Sequence, residues 1–315
     1  MTGYLIRRIL QSVLVVVLVS IVTFLLTELL PGGPARAMLG PRATQQQIQD
    51  FIHANGYDRP IPVQYGIWVD NIVHGNLGYS LKLNQGVGAL IADRLPKTVV
   101  LMAISFVVAL IIAVPLGIYQ ARRRNSIGDY TATSLSFIFY AMPSFLLGQL
   151  LILVFSTYLG WFAPTAPQTG DIGEILADGN AMILPIATLA LITIATFSRY
   201  MRSSVMENLT QEYVRTALAN GASDRRVTVV HVLRNALIPI ATLLGLSLPA
   251  LVAGAAITET VFNYPGMGYT FITEAQVRDY PTVLGFTLVI AVVTVIGSLL
   301  ADVAYAVLDP RVKYS

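Results

Sequence analysis

The residue types able to do covalent chemistry are few and scattered along this chain. His53, His74 and His231 are its histidines, and it has no cysteine, so neither a disulfide framework nor a thiolate metal site can be built. The lysines are Lys82, Lys97 and Lys313, and none follows the glycine spacing of a phosphate-binding loop. HExxH and GxSxG are missing, which removes the common zinc and serine-hydrolase signatures. No catalytic site, metal or cofactor bound by this chain is therefore expected. What stands out instead is EYVRTALANGASDRR, Glu212–Arg226, with charges at its ends and Thr216, Ala217, Ala219, Gly221, Ala222 and Ser223 crowding its centre. Such side chains flatten one face of a short helix and let another protein's backbone approach closely. Gly221 is the natural break, because glycine tolerates left-handed backbone geometry. The chemistry on offer is docking.

The segments that must position this helix are apolar. Of 315 residues, 55% are hydrophobic and 12% charged, with mean hydropathy +0.67. An ordinary soluble domain carries roughly 25% charged residues. A helix needs about 20 apolar residues to cross the hydrocarbon core. Six stretches qualify, over 9–30, 98–119, 133–158, 182–200, 238–258 and 283–307. None alternates in polarity as a membrane barrel strand would. The expected fold class is all-α integral membrane protein with six transmembrane helices. Arg7-Arg8 ahead of the first apolar run, with ARA at 35–37, also has the look of a secretory leader. The run is longer than a leader's apolar core, so a retained membrane helix is expected.

Orientation follows from the loops. With the N-terminus inside, the cytoplasmic segments hold Arg7, Arg8, Arg122, Arg123, Arg124, Arg199, Arg202, Arg215, Arg225, Arg226, Arg234, Arg311 and Lys313. The opposite short loops, 159–181 and 259–282, hold only Arg278. Both termini are expected in the cytoplasm of a multi-pass protein of the cytoplasmic membrane. The domain boundaries read as 1–30 for the N-terminus and first helix, 31–97 for an extracytoplasmic loop, and 98–315 for the core membrane domain.

Within 31–97, Pro31, Gly32, Gly33 and Pro34 end the first helix. Thr44 reads as the cap of a helix that Gly56 stops. DRPIPVQY reads as extended or turning, and VQYGIWVDNIVHGNLG returns to helical periodicity. This folded cap serves either packing or the landing of a soluble partner. On the inner side, Arg199 to Ile238 is helical in pattern with no proline until Pro239. Forty residues of straight helix would span about 60 Å. The membrane helices therefore project into the cytoplasm and are joined by a short transverse helix.

Ionisable groups inside spans are functional candidates or packed, hydrogen-bonded groups. Glu28 and Glu259 fall near outer ends, and Asp302 in the inner half of the last span. No carboxylate pair sits mid-span, which argues against an ion-coupled carrier. Pro115-Leu116-Gly117, Pro143, Gly148, Gly245, Pro249 and Gly254 interrupt spans, as moving or cavity-lining segments do. The turn FNYPGMG puts Phe262, Tyr264, Gly266 and Met267 just outside the membrane. With Pro143 and Glu259, these are the candidate path or gate residues.

The order E-Y-V-R-T-A-x-A-x-G-A-S, followed by H-V-L-R-N-A-L-I-P, resembles the EAA-type coupling motif of ABC importer permeases in its peptide-permease form. LLPGGPARAMLGPRAT, GNLGYS, RLPKTVVL, VPLGIYQARRR, MPSFLLGQLL, RDYPTVLG and LDPRV are similar to dipeptide and oligopeptide permeases, in the same order. The resemblance implies a six-helix permease of the type I importer kind, the first of two such subunits. It implies that Glu212, Tyr213, Arg215, Ala217, Gly221 and Ala222 couple to an ATPase, with His231, Arg234, Asn235 and Pro239 downstream. Implied partners are a second, homologous permease in a heterodimer, two ABC ATPase subunits or domains that carry ATP and Mg, an extracytoplasmic binding protein and the lipid bilayer, with no nucleic acid. Implied cargo is peptide, while nickel complexes, glutathione and oligosaccharides use relatives. Leu218 and Asn220 depart from the motif, standing where basic residues are expected. The alternative from another class is an ion-coupled carrier or channel, which would tolerate change at 212–226.

Overall fold

The computed structural model describes residues 2–28, 33–40, 42–167 and 170–308, with side chains described for fewer of these. The expected helix end at Pro31-Gly32 lies outside the described residues, as do the side chains of Gly33, Pro34, Gly245, Pro249, Gly254 and Asp302.

The chain is mostly helical. In order it runs α1 (Thr2–Glu28), α2 (Gly33–Leu39), α3 (Gln45–Asn55) and α4 (Ile61–Val73). A two-residue antiparallel ribbon follows, β1 (Tyr79–Ser80) with β2 (Gln85–Gly86). Then come α5 (Val87–Arg122), α6 (Ile127–Ala141), α7 (Ser144–Leu151), α8 (Ile172–Ala177), α9 (Gly179–Leu209), α10 (Glu212–Ala219) and α11 (Asp224–Arg226). The chain closes with α12 (Leu233–Val261), α13 (Met267–Gln276) and α14 (Tyr280–Leu308). Wide, π-helical turns continue α7 over Ile152–Tyr158 and lead into α12 over Val227–Val232.

The described residues of the expected spans are helical apart from Met142 and Pro143 in the third. Among the described residues, Ile6–Glu28, Val87–Arg122, Gly179–Leu209 and Tyr280–Leu299 are long and apolar enough to cross a membrane. The stretch expected as a single span over 133–158 is instead broken, α6 and the α7 segment meeting at 110°. The cause is Pro143. It cannot donate to the ladder and forces the residue before it out of the helical region, so Met142 sits extended at φ −79°, ψ 127°. The Pro115-Leu116-Gly117 segment behaves differently, and α5 runs through it unbroken.

The caps in the 31–97 region form as local sequence requires. The Thr44 hydroxyl accepts from the Gln47 amide and the Gln47 side chain from the Thr44 amide, a reciprocal box. Gly56 ends α3 in the left-handed region at φ +71°. Pro62, expected in extended or turning chain, lies in the first turn of α4. A missing N–H costs nothing there, because first-turn donors have no helical partner.

By packing, the chain divides into two compact units: residues 1–98 with 265–296, and residues 99–264 with 297–315. The first has a core of Val87, Leu90, Ile91, Met267 and Phe286. The second is built on α9, which packs chiefly against α12 and α6. Association inside a bilayer rests on close packing, since lipid is as apolar as leucine. Ala109, Ala113 and Gly117, four residues apart on α5, supply that closeness, the alanines being fully buried in the core that also holds Ala190, Phe197 and Met201. A β-carbon at Gly117 would stand 2.6 Å from Met201 Cβ and 2.8 Å from the Ser198 carbonyl oxygen. Gly117→Ala is accordingly expected to destabilise the chain by about 1–3 kcal/mol through overpacking, read as a lower melting temperature in detergent. A melting temperature equal to wild type would mean that α5 and α9 are not in this contact.

Candidate functional site

The transverse segment predicted around 212–226 is built from two short helices and a left-handed turn. α9 ends at Leu209, where the Thr210 hydroxyl turns back to the Glu207 carbonyl at 2.8 Å. Gln211 is extended (φ −76°, ψ 151°), and α10 starts at Glu212. Its end is a two-bond reversal. Ala222 N donates to the Ala217 carbonyl at 3.1 Å and Gly221 N to the Leu218 carbonyl at 2.9 Å, with Gly221 at φ +79°. The expected break at Gly221 is there, and a second break at Thr210–Gln211 sets α10 off from α9. Ser223 then caps α11, its hydroxyl accepting from Arg226 N.

α10 has two faces. Val214 is buried among Ile194, Met201, Val205 and Val232, with Tyr213, Ala217 and Ala222 packed against the same core. Tyr213 also donates its phenol hydrogen to Asn208 Oδ1 at 2.8 Å. Of the six residues assigned to ATPase coupling, Tyr213, Ala217 and Ala222 thus anchor the segment to its own chain. Glu212, Arg215 and Gly221 lie on the exposed face with Thr216, Leu218, Ala219 and Asn220. Arg215 and Glu212 pair at 2.8 Å in solvent, which adds little to stability. Leu218, 44% exposed, is the large apolar side chain on that face. Downstream, Arg234, Asn235 and Pro239 are exposed and His231 half-buried, with Asn235 donating to the His231 carbonyl at 3.4 Å.

Polar contacts tie this segment to α5, and others brace α9, to which Tyr213 bonds, against α12 and α6. Arg122, at the end of α5, donates to the Asp224 carbonyl at 3.2 Å, the Asp224 carboxylate at 3.3 Å and the Thr228 hydroxyl at 2.9 Å. Ser204 on α9 donates to the Ala236 carbonyl on α12 at 3.1 Å. The strongest link is Asp129, a buried carboxylate in the first turn of α6. Arg202 on α9 donates to it through Nε and Nη2, each at 2.9 Å, in the forked geometry that suits guanidinium and carboxylate. Asn125 N at 3.0 Å and the Thr133 hydroxyl at 3.3 Å complete its shell. One turn earlier on α9, Arg199 lies over the rings of Phe137 and Tyr140, 5.1 and 4.7 Å from their centroids. Sequence reasoning did not single out Asp129, and used Arg202 only as evidence of orientation. The available local signal was Ser126 capping the Asp129 amide, which marks a helix start but names no partner.

The residues proposed for the path or gate are mostly interior. Phe262 and Tyr264 are fully buried with Leu101, Ala166, Met182 and Leu184 in the second unit's core. The Phe262 carbonyl accepts from Ala166 N at 2.7 Å, and Tyr264 N donates to the Glu259 carbonyl at 2.8 Å. Burial first, and the Glu259 charge second, push the Tyr264 phenol well above its ordinary range. Glu259 itself is fully buried. Met267 belongs to the first unit's core, where its amide donates to the Thr98 hydroxyl at 2.8 Å. Gly266 is buried and Pro143 exposed. Gly148 is a packing position: a β-carbon there would meet Val261 at 3.1 Å and Phe262 at 3.2 Å. No group of histidine and carboxylate side chains able to hold a metal occurs among the described residues.

Comparison with known proteins gives two family matches. Residues 113–314 match the family described as binding-protein-dependent transport system inner membrane component, and residues 1–102 match the N-terminal component of such membrane proteins. The chain is similar to the oligopeptide transport system permease protein AppB of Bacillus subtilis, 39% identical over 316 residues and 100% of both chains. It is similar to a putative peptide permease protein of Brucella ovis, 41% identical over 321 residues and 99% of both. Among solved structures, a chain of the MetNI methionine ABC transporter in inward-facing form has the same fold, with TM-score 0.51 and 16% identity, over 68% of this chain and 96% of that one.

The Asp129–Arg202 geometry gives a direct expectation. Arg202→Leu leaves a buried carboxylate without its counter-ion and is expected to lower stability by about 3 kcal/mol. The double variant Asp129→Leu with Arg202→Leu is expected to recover much of that loss, because an apolar pair of similar volume replaces a buried ion pair well. Thermal unfolding of both in detergent decides it. A double variant no more stable than the single would show that the two groups do not act on each other.

Proposed function

The chain belongs to the family of binding-protein-dependent transport system inner membrane components, and on that premise we propose that it is a permease subunit of an ATP-driven importer of di- or oligopeptides. The observation that carries this reading is the two-faced α10. One face is fixed in the chain's own core by Tyr213, Val214 and Ala217, and the other, carrying Glu212, Arg215, Thr216, Leu218 and Ala219, is exposed. Peptide as cargo is supported by the names of the relatives, an oligopeptide and a peptide permease, aligned over nearly their whole length.

In this reading six membrane spans, with both termini cytoplasmic, form half of a path that opens alternately outward and inward. α12 supplies the fifth span. A homologous permease forms the other half, most simply as a heterodimer. Two ABC ATPase subunits or domains, holding ATP and Mg, seat the exposed face of α10 on each side. An extracytoplasmic binding protein delivers cargo. The chain itself hydrolyses nothing.

The mechanical step follows from the anchors. When the ATPases close on each other they carry α10 with them. The extended link at Gln211 and the Tyr213–Asn208 hydrogen bond pass that displacement to α9. Asp129 passes it from α9 to α6, and Arg122 passes it to α5. The turn from Phe262 to Met267, with Glu259 and Pro143, is proposed to hold the outer end of the path by packing, not as a free plug.

Leu218→Glu tests the reading at an exposed side chain outside the core on which Val214 is anchored. The expectation is normal membrane insertion and at least a tenfold loss of peptide uptake, with partner ATPase activity no longer stimulated by loaded binding protein. Ala217→Glu is a poorer probe, because Ala217 also packs on the chain's own core. Uptake unchanged in Leu218→Glu would favour an ion-coupled carrier that needs no ATPase.

A further inference from the structure

Arg199 carries a charge at a place where the chain gives it no counter-ion. The buried hydroxyls of Ser136 on α6 and Ser198 on α9 meet at 3.4 Å, and Asp129 on α6 meets Arg202 on α9, so the two helices run antiparallel. Arg199 follows Ser198 directly, yet its guanidinium reaches the rings of Phe137 and Tyr140, 5.1 and 4.7 Å from their centroids. Tyr140 lies four residues beyond Ser136 along α6, so the side chain points away from the start of α6. From Ile127, where α6 begins, Phe137 and Tyr140 are about 15 and 20 Å along the helix at 1.5 Å per residue. On the six-span reading α6 enters from the inner side. The guanidinium then lies well inside a hydrocarbon core about 30 Å thick.

No carboxylate of the chain neutralises it. Asp129, the buried carboxylate on α6, is already filled by Arg202, Asn125 N and the Thr133 hydroxyl. Among the described residues Arg199 makes no hydrogen bond or ion pair, and what holds it is the pair of aromatic faces. Its nitrogens are unpartnered but not buried, so they can be reached from outside the chain. The rings that hold it are open too, Phe137 and Tyr140 each being 54% exposed. A charged side chain at membrane depth faces a bundle interior or a water-filled path, because lipid on its open side is costly. Two residues past Tyr140 comes the break at Met142–Pro143, where α6 and the α7 segment meet at 110°. Irregular backbone at that depth is tolerated where protein buries it or where it lines a wet cavity. Pro143 is exposed.

We propose that Arg199, cradled by Phe137 and Tyr140, is a station on the transport path that binds the free carboxylate of a peptide cargo. This rests on the peptide-importer reading and adds to it the end of the cargo that this chain recognises. The charge selects an anion. A guanidinium presents parallel N–H groups that fit a carboxylate edge to edge. Arginine suits the place better than lysine, being weakly hydrated and able to lie on aromatic faces while its edge donates. The amino terminus of the same peptide is repelled, so the carboxyl end is the one that engages. A lipid phosphate is the other anion in a membrane. It lies at the surface, whereas this guanidinium points away from the inner surface from which α6 enters.

The test uses the unaltered protein. The importer, purified whole and placed in phosphatidylcholine nanodiscs, is treated with p-hydroxyphenylglyoxal, which modifies arginines reached from water. Mass spectrometry follows Arg199, with exposed Arg124 as the reference. Arg199 is expected to react, and trialanine to slow that reaction about fivefold while leaving Arg124 unchanged. Trialanine amide, which lacks the carboxylate, is expected to protect far less. Arg199→Gln is expected to lower trialanine uptake in proteoliposomes about tenfold. An Arg199 that does not react, that reacts as fast with trialanine as without it, or that both peptides protect equally would overturn the proposal. So would protection by added phosphatidylglycerol in place of trialanine, which would make Arg199 a lipid contact, and so would unchanged uptake in Arg199→Gln. Wild-type uptake of trialanine checks the peptide reading separately. Uptake with an unprotected Arg199 would leave that reading standing and sink this inference, while no uptake of any peptide would sink the reading and this inference with it.

Discussion

Asp129 is the group on which the packing of α9 against α6 turns. Within the unit that carries α10, it joins three things that sequence keeps apart: the α5–α6 turn through Asn125, the first turns of α6 through Thr133, and the middle of α9 through Arg202. A carboxylate this buried is tolerable only if its oxygens are filled, and four donors fill them. The geometry therefore admits little slack. Sliding α9 against α6 would strand this charge, so the pair resists such a shift.

That rigidity gives α10 its meaning. A short amphipathic helix on the inner rim of a membrane protein is by itself a common surface feature. Here the side chains that would let it float are committed inward: Val214 to the core, Tyr213 to Asn208, and Ala217 with Ala222 to the reversal at Gly221. Arg122 secures the far side through Asp224 and Thr228. In the proposed reading, a force applied to the exposed face reaches α9 across the Tyr213–Asn208 bond that spans the extended Gln211 link, and α5 through Arg122. A solvated linker would need none of these anchors, and a carrier without an ATPase would have no use for the stiffness.

What could be read from sequence follows the range of the interactions concerned. Thr44 with Gln47, Gly56 and Gly221 act over a few residues, so their types announce the cap or reversal they make. Pro143 announces a break, but not an angle of 110°, which depends on what α6 and α7 pack against. Pro62 was misread because proline ends a helix in its interior and starts one in its first turn. The Asp129–Arg202 pair spans 73 residues, and nothing local ties the two. Composition likewise fails to sort Phe262, Tyr264 and Met267, since an aromatic, glycine-containing turn suits both an outer mouth and a packed core. The split of α10 into anchoring and exposed halves is partly legible afterwards, Val214 and Ala217 standing three residues apart on α10 and Ala222 turning back once Gly221 is placed as the reversal.

The central claim is that the exposed face of α10 seats in an ATPase. The chain has no cysteine, so Leu218→Cys provides a single thiol on that face. Labelled in native membranes with a photoactivatable maleimide and illuminated, it should capture a protein that carries a nucleotide phosphate-binding loop, and ATP should change the yield. A thiol that captures no such protein and reacts equally fast with a water-soluble maleimide, whether or not ATPase subunits are present, would contradict the account.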